Sequence, residues 1–238
     1  MPTTTAPAPA VDNAAPTMQV RKRNGALEAV DVNKIVRAVQ RCGLGLSSVD
    51  VLKVATKTIG GLYDGATTRE LDNLSIQTSA LLIAEEPEYS KLAARLLSTY
   101  TAKEVANQDI HSFSQSIAAG YRLGLLCERT ATFVTANARK LNNAVANDRN
   151  DLFEYFGLRT VYDRYLLKNP ETREVIETPQ YFFLRVACGL CETVPEALEL
   201  YTLISKFEYM PSTPTLFNSG TRHPQMSSCY LLDSPQDD

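Results

Sequence analysis

The chain has 238 residues, 44% of them hydrophobic and 21% charged, which is the make-up of a globular protein with one large domain or two ordinary ones. Its formal net charge of -3 gives no global attraction to nucleic acid or an anionic membrane, so any polyanion site must be local. No run approaches the roughly 18 apolar residues of a membrane span, and the N-terminus lacks the basic-then-apolar order of a signal peptide. These features point to a cytoplasmic protein with neither nucleic acid nor membrane as partner.

Residues 1–17 are rich in Pro, Ala and Thr and hold almost no large apolar side chain, so they predict a disordered leader. Asn24-Gly25 then sits between two short alternating runs, Val20 to Arg23 and Ala26 to Val30, the signature of a type I′ hairpin. Ile35, Val36 and Val39 recur at helical spacing until Gly43. Ser47 and Ser48 offer caps to a second helix carrying Val51, Leu52, Ala55 and Ile59. Thr67-Thr68-Arg69-Glu70 is a capping box opening a third helix with Leu71, Leu74 and Leu81. A fourth helix runs from Tyr89 to about Glu104. These elements predict a compact domain over 18–107.

A mainly helical region follows over 108–210, with an aromatic stretch at 150–168, a helix opening at Thr178-Pro179-Gln180 and another over Glu196–Phe207. At the far end, Ser212 to Gly220 reads as a loop punctuated by Pro, Asn and Gly. Ser227-Ser228-Cys229-Tyr230-Leu231-Leu232 reads as a short apolar strand. The predicted fold class is thus α+β, a hairpin plus four helices, then helices leading into a first strand at 211–238.

The five cysteines, Cys42, Cys127, Cys188, Cys191 and Cys229, are odd in number and scattered, unlike a secreted disulfide framework, so reduced thiols are expected. The two histidines fall at no metal-ligand spacing, and no metal site is expected. Cys188-Gly189-Leu190-Cys191 is a CxxC, but inside an apolar helical run and with no second pair. It reads as two packed core thiols ahead of a redox or metal site.

Arg21, Lys22, Arg23 and Lys34 concentrate positive charge where phosphates could sit. A basic run of this length on its own more often marks a solvated face. The order of the whole set carries more. Lys22-Arg23-Asn24-Gly25, then Glu28 and Lys34, then Leu62-Tyr63-Asp64-Gly65-Ala66-Thr67-Thr68-Arg69-Glu70-Leu71-Asp72, then Tyr89-Ser90-Lys91-Leu92-Ala93-Ala94-Arg95-Leu96 resembles the ATP cone of ribonucleotide reductases. The resemblance implies that Lys22, Arg23, Lys34 and Lys103 face phosphates of ATP or dATP, accompanied by Mg. It also implies that Thr68 donates a hydroxyl and that Glu28 and Asp72 lie toward ribose or base. One point of geometry stays open: adjacent strand residues point to opposite faces, so Lys22 and Arg23 cannot both reach one ligand from a flat strand.

Tyr155-Phe156-Gly157-Leu158, Arg164-Tyr165-Leu166-Leu167-Lys168, Thr213-Pro214-Thr215-Leu216-Phe217-Asn218-Ser219-Gly220 and Pro224-Gln225-Met226-Ser227-Ser228-Cys229 are similar to the opening of the reductase barrel. The resemblance implies the large subunit of a class I ribonucleoside-diphosphate reductase, under ATP/dATP control. It implies that Cys229 is one of two reducing thiols and that Thr213 and Ser228 hold the substrate diphosphate and ribose. It further implies a small subunit carrying the radical cofactor, a thioredoxin or glutaredoxin as reductant, and further large-subunit polypeptide or a homo-oligomer as partner. On this reading the barrel is incomplete within the 238 residues and this stretch alone is inactive. Two alternatives stand beside it, a free-standing ATP-cone nucleotide sensor and a fragment of a class II, cobalamin-dependent reductase.

Overall fold

The computed structural model describes residues 18–23 and 25–231. The stretch read as a leader, Asn24, and Leu232 with the rest of 232–238 therefore lie outside the described residues. The chain opens with an antiparallel hairpin of β1 (Gln19–Arg21) and β2 (Leu27–Ala29), with Gln19 opposite Ala29 and Arg21 opposite Leu27. The expected two-residue type I′ turn is not what closes it. Lys22 continues the ladder, its N–H donating to the Ala26 carbonyl at 2.8 Å, which leaves three residues for the connection. The Gly25 N–H then donates to the Lys22 carbonyl at 2.9 Å with Gly25 at φ +84°, the left-handed position that glycine takes without strain.

Four helices complete this first unit: α1 (Val32–Cys42), α2 (Val51–Gly60), α3 (Thr68–Leu81) and α4 (Tyr89–Ala106). The Asp31 side chain caps α1 by accepting from the Asn33 amide at 2.9 Å. Asp50, not Ser47 or Ser48, caps α2, because it stands directly before the helix and its carboxylate reaches the Lys53 amide at 2.9 Å. The Ser48 amide donates instead to Glu88 at 2.6 Å. The capping box of α3 forms as expected, with the Thr67 amide donating to Glu70 at 2.7 Å and the Glu70 amide to Thr67 at 3.1 Å. Backbone bonds from Arg21 to Ala66 (2.9 Å) and from Gly65 to Gln19 (2.8 Å) seat the hairpin on the start of α3.

Beyond this unit come α5 (Phe113–Arg122), α6 (Glu128–Ala136), α7 (Ala138–Asn143) and α8 (Tyr155–Thr160), the last running into a π-helical turn at Val161–Tyr165. Then follow α9 (Pro179–Leu190), capped by Thr178, and α10 (Val194–Ser205), opened by a Thr193–Glu196 capping box. Buried apolar residues from Val39 to Leu216 form one continuous cluster, with α4 packed on α1 and α3 from one side and on α8 from the other. Polar contacts cross the same seam: Lys91 to Glu154 at 3.0 Å, Arg95 to Asp151 at 3.1 Å, and Arg69 to Glu174.

Two expectations for the far end need correction. Residues 213–218 form a short helix, α11 (Thr213–Asn218), where a loop was expected. Pro214 is compatible with it because a proline in the first helical turn loses no intrahelical hydrogen bond. Residues 227–231, expected in a strand, form none. A strand persists by exchanging ladder bonds with a neighbour, and among the described residues no strand lies beside this segment. Among the described residues no helix is long and apolar enough to cross a membrane.

Candidate functional site

The hairpin, α1, α3 and α4 enclose a cavity of about 540 Å³. Lys22 and Arg23 reach it from the hairpin, Lys34 from the first turn of α1, Thr68 and Asp72 from the start of α3, and Lys103 from the last turn of α4. Ile35, Val39, Leu71 and Leu96 supply an apolar wall. The spacing problem of Lys22 and Arg23 is resolved by the turn. Arg23 lies past the end of the paired ladder, so both side chains line one cavity.

Two carboxylates hold the four cations apart. Glu28, opposite Val20 in the hairpin, pairs with Lys22 and Lys34, and their hydrogen bonds hold its carboxyl down to about 2. Contact with Glu28 in turn pushes the Lys34 amine above its ordinary range. Asp72 accepts from Arg23 at 3.1 Å and from Lys103 at 2.9 and 3.1 Å. The cluster keeps two positive charges in excess. The Arg23 side chain is 11% exposed and lies over the Tyr100 ring, 5.0 Å from its centroid. Its Nη1 is buried and has no hydrogen-bond partner among the described residues. A buried guanidinium nitrogen without an acceptor is costly, and an anion is the kind of group that would satisfy it. The residues present therefore fit a nucleotide polyphosphate. The Thr68 hydroxyl makes no hydrogen bond among the described residues and is free to donate. Six of the seven residues predicted for this site line the cavity, and the seventh, Glu28, stands behind Lys22 and Lys34.

The other predicted group is less assembled. Thr213 is exposed, and its Oγ1 meets the Tyr165 hydroxyl at 3.1 Å; Tyr165 also stacks on Phe217, with centroids 4.5 Å apart. Ser228 and Cys229 are exposed neighbours, Oγ to Sγ 3.9 Å. Among the described residues no hydrogen bond joins Thr213 to either. Cys188 is buried in α9, which pushes its thiol up to about 12, and Cys191 packs against the same core at the end of that helix. Both behave as packed thiols. Among the described residues no group of three or more His, Cys, Asp or Glu is arranged to hold a metal.

A larger cleft of about 930 Å³ lies between α1 and α4 on one side and Asn147, Asn150 and Tyr181 on the other. It shares Asp72 and Lys103 with the first cavity but not Lys22, Arg23, Lys34 or Thr68. The smaller cavity is the better candidate, because Lys22, Arg23, Lys34 and Thr68 line it and not the larger cleft. Sequence reasoning missed Tyr100 behind Arg23. It also missed the buried pair of Arg185 and Glu177, bonded at 2.9 and 3.0 Å, through which α9 also reaches the Ser219 carbonyl at 2.7 Å. Neither contact has a local signal, since both depend on tertiary packing.

A hairpin and four helices around a basic cavity of this kind define a nucleotide-binding regulatory module, and residues 18–104 match the ATP cone domain family. Residues 151–224 match the family described as ribonucleotide reductase, all-alpha domain. The chain is 38% identical over 227 residues to the ribonucleoside-diphosphate reductase large subunit of Caenorhabditis elegans, covering 92% of this chain and 28% of that protein. It is 36% identical to large chain 2 of Saccharomyces cerevisiae, covering 92% and 26%, and 34% identical to the large subunit of Monkeypox virus, covering 92% and 29%. The chain is thus similar to the N-terminal part of ribonucleoside-diphosphate reductase large subunits, and it spans less than a third of the length of these relatives.

Proposed function

We propose that the cavity between the hairpin and α1, α3 and α4 is an allosteric site for ATP and dATP, and that residues 18–107 act as one nucleotide-binding unit. Lys22, Arg23, Lys34 and Lys103 face the phosphates, the Thr68 hydroxyl donates to the nucleotide, and Glu28 and Asp72 turn toward ribose or base. Mg accompanies the phosphates. One observation carries this reading: four cations line one cavity, and one of them, Arg23, keeps a buried donor with no acceptor among the described residues.

Within a complete reductase, the region over 211–238 opens the catalytic barrel, where ribonucleoside diphosphates become deoxyribonucleoside diphosphates. Removing the ribose 2′-hydroxyl takes two electrons, which a pair of thiols supplies by closing to a disulfide. Cys229 is one thiol of that pair, exposed and therefore accessible to substrate and reductant, while Thr213 and Ser228 hold the diphosphate and ribose. The second thiol belongs to further large-subunit sequence. A small subunit supplies the radical, and a thioredoxin or glutaredoxin in the cytoplasm regenerates the dithiol.

Calorimetry on the 238-residue chain tests the nucleotide reading. ATP and dATP should bind and adenosine should not, and affinity should fall with salt because phosphate attraction dominates. Equal binding of ATP and adenosine would refute the assignment of the basic cluster to phosphates.

A further inference from the structure

We infer that Tyr100 and Tyr162 are positioning residues of the nucleotide cavity: the Tyr100 ring holds the Arg23 guanidinium from behind, and Tyr162, from the helical region beyond the cone, holds Tyr100 and Glu104 in place. The inference rests on the nucleotide reading and adds to it a part of the site that lies outside the cone.

Arg23 has two restraints. Asp72 takes its Nη2 at 3.1 Å, and the Tyr100 face lies 5.0 Å from its central carbon, while Nη1 has no hydrogen-bond partner among the described residues. Tyr100 is 5% exposed and cannot swing away, because the Tyr162 ring meets it edge to face with centroids 6.0 Å apart. Tyr162 is fixed in turn by its hydroxyl, which donates at 2.8 Å to Glu104, a carboxylate only 4% exposed. Burial and the Glu104 carboxylate push the Tyr162 hydroxyl well above its ordinary range, so it remains a donor. Glu104 follows Lys103 on α4, and Lys103 grips the other side of Asp72 at 2.9 Å. The contacts therefore close a ring, from Arg23 through Asp72, Lys103, Glu104, Tyr162 and Tyr100 back to Arg23. Tyr162 sits in the π-helical turn at Val161–Tyr165, a local departure from regular helix that is frequent at functional sites. By linkage, a nucleotide that engages Arg23 favours the docked position of this turn, and docking favours the nucleotide by the same factor.

The test uses the 238-residue chain with ATP and with inorganic triphosphate as probes. Tyr100→Leu should weaken ATP binding about fivefold by removing the ring face. Tyr100→Phe, which keeps the face, should stay within about twofold, and Tyr162→Phe should weaken binding without touching the cavity. In an Arg23→Ala background Tyr100→Leu should cost nothing further. Equal losses for Leu and Phe at position 100, an undiminished loss in the Arg23→Ala background, or unchanged affinity in Tyr162→Phe would overturn the inference. Urea unfolding of the same Arg23 and Tyr100 variants forms a cycle that needs no ligand. Coupling there without ATP or triphosphate binding by the wild-type chain would sink the nucleotide reading alone, whereas absence of coupling would sink the positioning role.

Discussion

Replacing Arg185 by methionine should destabilise the chain more than any surface change, and the structure sets the size of the effect. Arg185 is 0% exposed and Glu177 1%. The substitution deletes two hydrogen bonds to the Glu177 carboxylate, at 2.9 and 3.0 Å, and a third to the Ser219 carbonyl at 2.7 Å. Glu177 is left buried with, among the described residues, only the Leu167 amide at 2.8 Å as donor. Removing one partner of a buried ion pair costs about 3–5 kcal/mol, because the other charge stays uncompensated. For a chain of this size each kcal/mol shifts the melting temperature by about 2–4 °C, so a drop on the order of 10 °C is expected. The double variant Arg185→Met, Glu177→Leu should recover most of the loss, since an apolar pair of similar volume pays no desolvation of charge. Urea unfolding followed by circular dichroism reads both. A loss below about 1 kcal/mol for the single variant, or a double variant no better than the single, would refute this account of the pair.

Three further outcomes are expected. Asp72→Asn should cost ATP more affinity than dATP, by up to about tenfold, because ATP offers one more hydroxyl donor to a carboxylate; equal changes in paired titrations would remove Asp72 from ribose recognition. The Glu28 carboxyl is depressed to about 2 by Lys22 and Lys34, so its contribution to hairpin stability is full above the ordinary carboxylate pKa near 4.3 and is lost as pH falls toward 2. Urea midpoints measured downward from pH 6 should show this component in the wild type and lack it in Glu28→Gln. In a complete reductase supplied with its small subunit, Cys229→Ser should stop multiple turnover while ATP binding persists, and normal dithiol-driven turnover would make Cys229 a bystander.

What could be read from residue order is what local chemistry decides. The Thr67–Glu70 box is a contact between residues three apart and formed where the pattern put it, and the helix expected to open at Thr178-Pro179-Gln180 does so. Asp50 displaced Ser47 and Ser48 as cap because a short side chain reaches helix amides only from the position directly before the first turn. α11 was hidden by Pro214, Asn218 and Gly220, a composition that also suits a loop. The expected strand at 227–232 depends on a partner, and pairing cannot be seen in one segment. At the candidate site, the members of the cavity were legible because their order along the chain resembles a known module. Their pairing was not: that Lys22 and Lys34 meet Glu28 while Arg23 and Lys103 meet Asp72 depends on the turn after Lys22 and on how α1, α3 and α4 pack. Tyr100, Tyr162 and the Arg185–Glu177 pair were invisible for the same reason, being joined only by the packing of distant segments.

The central claim is the location of the nucleotide, and a crystal structure of the chain with ATP and Mg tests it most directly. The account predicts the phosphates in the cavity of about 540 Å³, with an oxygen accepting from Arg23 Nη1 and others near Lys22, Lys34 and Lys103. ATP seated in the larger cleft between α4 and Tyr181, with Arg23 Nη1 still unpartnered, would contradict it.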